Sequence, residues 1–217
     1  MKKRLLVSAV ALALLVPCAL LGQSPQTPVH GKVLLVIRNQ QAAAADALGF
    51  VVEKEAGTIT VMLQKAGYQV DIASPTGQRW GTSAAGLQPN RKLADVRVAD
   101  YKAIVIPCLA IESTDVHPDL ASVIKAAAAG GTLLASQTGG VTMVAKTGVL
   151  AGKKYATIDV TEAPEQFMKG IYAGAGIVKD GTIITSGICP WMAHTFPGMQ
   201  DGTQKMMETV IAELKAR

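Results

Sequence analysis

Short apolar runs of strand length alternate with helical patterns along this chain, and that alternation narrows the possible folds more than any other feature. The patterning predicts strands near Val33–Ile37, Gln69–Ala73, Ala103–Pro107, Thr132–Ala135, Tyr155–Ile158 and Thr182–Thr185. It predicts helices near Glu53–Ala66, Pro118–Ala129, Val141–Thr147, Pro164–Lys169 and Gly202–Lys215. Pro118 suits a first helical position, where its missing N–H costs nothing, and Asp201 can cap the last helix. Strand–helix alternation argues for an α/β fold, a mostly parallel sheet covered on both faces. Ligands in such sheets sit at the carboxyl ends of the strands. The chain has no internal repeat, and the Ala-rich stretch 42–47 reads as a lead-in to the first helix.

The run Leu133-Leu134-Ala135-Ser136-Gln137-Thr138-Gly139-Gly140 reads as a buried strand, a sharp glycine-bearing turn and a helix start. In an α/β sheet this is the geometry of a nucleophile elbow. The turn lifts one side chain above the strand end, and amides at the helix start can hold an oxyanion. Thr138 stands at the apex. A hydroxyl is a poor nucleophile without an adjacent base, and Gln137 and Gly139 supply none.

The stretch that follows, Gly148-Val149-Leu150-Ala151-Gly152-Lys153-Lys154-Tyr155-Ala156-Thr157, resembles the sequence after the elbow in the ThiJ/PfpI superfamily. That superfamily is class I glutamine amidotransferase-like and includes the Parkinson-disease protein deglycases. Further segments match in order. Lys32–Ile37 resembles the first strand, Leu63–Gly77 the first helix, second strand and Ser-Pro-x-Gly turn, Asp100–Pro107 the third strand, and Asp180–Ser186 the late hairpin. The resemblance covers nearly everything after residue 31. It implies a flavodoxin-like three-layer sandwich.

The resemblance also implies site residues. Counting back from Gly148 puts the family's elbow Cys on Thr138 and the next residue, His in many members, on Gly139. The resemblance thus implies a divergent member that lacks the elbow Cys. The family's other His follows the next strand, where this chain has Thr157-Ile158-Asp159. Glu55 falls where the family keeps a carboxyl beside the Cys, with Glu53 as the competing position; either could equally be an ordinary acidic residue in a helix's first turn. Cys108 stands where the family has a Gly-Gly pair whose amide helps form the oxyanion hole.

Cys108 and Cys189 both follow strand ends. Three readings stay open: two unrelated buried thiols, a disulfide, or a relocated nucleophile Cys108 assisted by His194. Cys189, Met192, His194 and Met199 also make a soft-ligand cluster, but their spacing fits no defined metal motif and packing explains them more simply. The expectation is no cofactor and no metal.

Met1-Lys2-Lys3-Arg4 followed by the apolar run Leu5–Leu21 has the form of a secretory signal. The expected division is a signal peptide over 1–22, a short tether over 23–31 and one domain over 32–217. Cys18 hints at a lipoprotein anchor, against which Pro17 argues. Cleavage near Gly22 leaves 195 of the 217 residues, enough for one full core. It takes the 21 basic residues to 18 against 16 acidic ones, and the net charge from +5 to +2. With no basic stripe interleaved with aromatics, nucleic-acid binding is not expected. The sequence thus points to a periplasmic or secreted ThiJ/PfpI-like domain without the family's Cys chemistry, a pseudoenzyme binding a small molecule or a protein. The alternative is a glyoxalase, deglycase or hydrolase-like enzyme using Cys108 with Glu55 or His194. A homodimer follows by family analogy.

Overall fold

The structure is a computed structural model that describes residues 30–39, 49–79, 87–111, 115–158 and 169–217. The signal segment, Cys18, most of the tether, the Ala-rich stretch and nearly all of the predicted helix 164–169 lie outside the described residues.

Seven strands form the main sheet: β1 (Lys32–Val36), β2 (Gln69–Ser74), β3 (Arg91–Lys92), β4 (Ala103–Ile106), β5 (Leu133–Gln137), β8 (Ile177–Asp180) and β9 (Ile183–Ser186). Their order is β3-β2-β1-β4-β5-β9-β8. Every pairing is parallel except the β8–β9 hairpin. A separate two-stranded pair joins β6 (Lys154–Tyr155) to β7 (Ile171–Tyr172). The helices are α1 (Thr58–Lys65), α2 (Pro118–Gly130), α3 (Gly139–Lys146), α4 (Pro190–Thr195) and α5 (Thr203–Lys215).

The two-residue period of a strand sends alternate side chains to opposite faces, and this builds two cores. Val33, Leu35, Val105 and Ala135 pack with Ile59 and Leu63 of α1 and with Met206 and Val210 of α5. Leu34, Val36, Ile104 and Leu134 pack on the other face with Val123 and Ile124 of α2 and with Val141 and Val144 of α3. The result is the expected three-layer α/β sandwich. Pro118 is the first residue of α2, and Gly131 closes it in the left-handed conformation at φ 70°. Asp201 accepts from the amide of Thr203 at 2.9 Å, from one residue before the capping position.

Three expectations need correction. The strand read over 155–158 pairs only at Lys154–Tyr155, and outside the main sheet. Its continuation is tied by single bonds instead, Ala156 N–H to Thr185 Oγ1 at 2.7 Å and Thr157 N–H to the Gly174 carbonyl at 3.2 Å. The helix read from Glu53 is already under way at Gly49, and it passes through a π-helical turn over Val52–Gly57 before α1 becomes regular. Finally, α4 was hidden in sequence by its length of six residues. Among the described residues, no helix is long and apolar enough to cross a membrane.

Candidate functional site

The site lies at the carboxyl ends of β4, β5 and β9, three neighbours in the sheet. At its centre the chain leaves β5 and enters α3 through Thr138, whose φ of 44° and ψ of −106° make it the one non-glycine residue at positive φ among those described. A β-branched residue is strongly disfavoured there. The turn is held by its surroundings. The Thr138 amide donates to the Ser186 carbonyl at 2.8 Å, and its hydroxyl donates to the Gly187 carbonyl at 3.1 Å. Gln137 Nε2 donates to the Ile188 carbonyl at 2.7 Å, and its Oε1 accepts from the Thr203 hydroxyl at 3.0 Å. The ends of β5 and β9 and the start of α5 are thereby one buried network.

The two glycines after Thr138 are dictated by space. A Cβ at Gly140 would lie 2.0 Å from the Ile106 carbonyl oxygen, so α3 starts in direct contact with the end of β4. A Cβ at Gly139 would lie 1.7 Å from Ile111 Cδ1 and 3.5 Å from Cys108 Sγ. Ile111 fills the space that a side chain at 139 would need. The base that the resemblance puts at this position is therefore both missing and replaced by hydrocarbon.

Glu55 is fully buried, whereas Glu53 is exposed and paired with Lys54. The π turn brings Glu55 inward; such turns concentrate at functional sites. Its two carboxylate oxygens accept from the amides of Cys108 at 2.8 Å and Leu109 at 3.1 Å. Burial drives its pKa well above the ordinary carboxylate value. A negative charge on Cys189 adds to this, and the two amide bonds oppose it.

Cys108 and Cys189 are both free, and they meet. Cys108, just past β4, is partly exposed; Cys189, just past β9, is fully buried and begins α4. The Cys108 thiol donates toward the Cys189 sulfur. That bond is the main reason the Cys189 thiol falls from an ordinary 9.0 to about 6, against the opposing effect of burial. The Met192 amide, the Thr138 hydroxyl and the Trp191 amide also favour the thiolate. The same contact pushes the Cys108 thiol up, with burial and the Glu55 charge adding to the shift.

The structure thus gathers Glu55, Cys108, Thr138 and Gly139 into one site. His194 is not part of it. Its ring packs against Phe50 at 4.9 Å and Trp191 at 6.1 Å on an exposed aromatic surface, and the leading influences on Cys108 are Cys189, Glu55 and the Gly139 amide. Sequence reasoning missed that Cys189, rather than Cys108, is the acidic thiol. The available signal was Pro190: proline at a first helical position makes the preceding Cys a helix cap. Nearby, a cavity of about 390 Å³ opens at the ends of β1 and β2, walled by Val36, Ile37, Leu93 and Met143 with Asn39, Asp115 and His117 as polar edges.

A parallel α/β sandwich with a strained elbow between β5 and α3 defines a class of fold before any comparison is made. The chain matches the DJ-1/PfpI family over residues 50–192, most of its length, and belongs to that family. The solved structures agree in fold. Drosophila melanogaster DJ-1beta is 20% identical, with a TM-score of 0.60 over 86% of this chain and 91% of that one. The ThiJ/PfpI domain protein of Brachyspira murdochii is 14% identical, with a TM-score of 0.64 over 86% and 97%. A two-domain protein of Anabaena variabilis, with DJ-1/ThiJ/PfpI-like and ferritin-like domains, is 18% identical with a TM-score of 0.61. There the match covers 85% of this chain but only 50% of that one. No curated protein sequence gives a significant match.

Proposed function

We propose that this chain is an exported DJ-1/PfpI domain that has given up covalent chemistry at its elbow and works by binding a small molecule or a partner. The observation that carries this reading is the state of Thr138. Its hydroxyl donates to the Gly187 carbonyl and lies against the Cys189 sulfur, and hydrocarbon from Ile111 occupies the place of a neighbouring base. The amides of Cys108 and Leu109, which stand where the family resemblance implies oxyanion stabilisation, already serve Glu55. A tetrahedral oxyanion would have to compete with a fixed carboxyl for the same donors. The mainly apolar cavity at the ends of β1 and β2 suits a small ligand, because it lies where ligands of such sheets bind.

The alternative, an enzyme of the glyoxalase, deglycase or hydrolase kind acting through Cys108, has one observation in its favour: Cys108 is the more exposed thiol and lies against Glu55. The His194 ring, packed against Phe50 and Trp191 on an exposed aromatic surface, weighs against it. Turnover of methylglyoxal separates the two. Wild-type protein is expected to match a buffer control, and Thr138→Cys is expected to gain a readily alkylated thiol. Wild-type turnover that vanishes in Cys108→Ser would establish the enzyme instead. A homodimer, by analogy with the family, is checked by the sedimentation mass of the purified chain.

A further inference from the structure

We propose that Cys108 and Cys189 form a redox-active dithiol that exchanges with small linear disulfides, closing to a reversible Cys108–Cys189 bridge above the elbow. The inference goes beyond the binding reading and does not depend on it.

Topology makes the pair. β4 and β9 are the two neighbours of β5, and each places a cysteine just beyond its carboxyl end. The chain between them turns at Thr138 and continues as Gly139, which has no side chain to part the sulfurs. A Cβ added there would already be 3.5 Å from Cys108 Sγ. The sulfurs interact, and the two thiols are unbridged.

The pair is unequal in a way that assigns roles. Cys108 is partly exposed and Cys189 is fully buried, so only Cys108 meets an incoming disulfide. Cys189 lies beside Cys108 at the Gly139 turn, so it is placed to take the proton of Cys108 and then to act as second nucleophile. Exchange needs a thiolate attacking in line with the S–S bond. As Cys108 Sγ attacks one sulfur of R–S–S–R, its proton passes to Cys189 Sγ, and RS⁻ departs. That proton then leaves Cys189 with the departing RS⁻, giving the first RSH and restoring the Cys189 thiolate. Cys189 Sγ next attacks Cys108 Sγ in the mixed disulfide and expels a second RS⁻, which takes a proton from water. Two thiols are oxidised to one disulfide, and one R–S–S–R is reduced to two RSH. The buried position of Cys189 leaves it close to one electrophile only, the sulfur of Cys108.

The test uses the full chain carrying Cys18→Ser, so that only the two cysteines of the pair are counted. The reduced protein is mixed with bis(2-hydroxyethyl) disulfide and followed by intact mass and peptide mapping without reductant. The expected result is two equivalents of 2-mercaptoethanol released per chain, a mass lower by two hydrogens, and a peptide bridged between Cys108 and Cys189. Dithiothreitol should restore both thiols. Cys189→Ser should stop at the mixed disulfide on Cys108 with one equivalent released. Cys108→Ser should slow the reaction by about tenfold or more, because the remaining sulfur is shielded. An unreactive wild-type chain, or a mixed disulfide that persists on wild-type Cys108, would overturn the proposal. So would Cys108→Ser reacting as fast as wild type, which would reverse the roles. Methylglyoxal turnover is scored separately, so failure of the binding reading leaves this result standing.

Discussion

Thr138 holds a backbone conformation that a threonine adopts only under constraint. Such a residue stores about 1–3 kcal/mol, whereas the hydroxyl bond to Gly187 contributes about 0.5–1.5 kcal/mol. Thr138→Gly removes both the strain and the bond; Thr138→Val keeps the strain and leaves the Gly187 carbonyl without this donor. The glycine variant should therefore be the more stable of the two in urea unfolding, and the opposite order would show that the turn is not strained. Glu55 carries the second residue-scale prediction. Glu55→Ala deprives two amides of their acceptor, at about 1–3 kcal/mol for each donor left buried. Stability should fall by that order, and the amides of Cys108 and Leu109 should exchange hydrogen faster. Glu55 was legible in sequence, because the count from Ala66-Gly67 along one continuous helix survives folding. The role of Cys189 was not legible, because its acidity comes from a thiol on another strand and from helix amides that exist only once α4 forms.

At the scale of elements, α4 and the sulfur that begins it should titrate together. The Cys189 thiol titrates near 6 in the folded chain against an ordinary 9.0, so its thiolate stabilises the fold fully above about pH 9. That contribution is lost as pH falls through about 6. Glu55 has the opposite sign: its raised pKa favours the fold at low pH and loses that effect as pH rises through the folded value. The difference in stability between wild type and Cys189→Ser isolates the thiol. It should grow as pH rises from about 6 to about 9; a flat difference would mean that Cys189 is an ordinary buried thiol. The central strands were readable because β4 is an unbroken apolar run, and β1 and β5 carry the apolar runs Val33–Val36 and Leu133–Ala135, all buried on both faces. The edge strands were not. Arg91–Lys92 is exposed and short, and Ile177–Asp180 is only half-buried, so neither carries the apolar pattern by which a strand is recognised.

At the scale of the molecule, two cores on opposite faces of one sheet account for the match to the DJ-1/PfpI family over residues 50–192. Less than a quarter identity to the solved relatives is compatible with this, since a sandwich constrains polarity and volume more than residue identity. The export reading belongs to this scale, because it rests on the basic start and apolar run of the first 22 residues. Intact mass of protein from the native host should give a chain beginning near Gln23 outside the cytoplasm. A full-length mass in the soluble cytosolic fraction would refute export. A diacylglycerol increment on Cys18 would instead make the chain a lipoprotein.

Ile111 gives the elbow a history and a direction. A lineage that took up thiol catalysis through Thr138→Cys would gain its sulfur in one substitution, but a His at 139 would not be open to it. The bulk at 111 has to be cleared first. Gly139→His alone should yield little folded protein, and Gly139→His with Ile111→Ala should recover it, as read by soluble yield and melting temperature. Equal yields would mean that Ile111 swings aside freely. If the order holds, the site is reached and left by different mutational routes, and its present residues are contingent on which substitution came first.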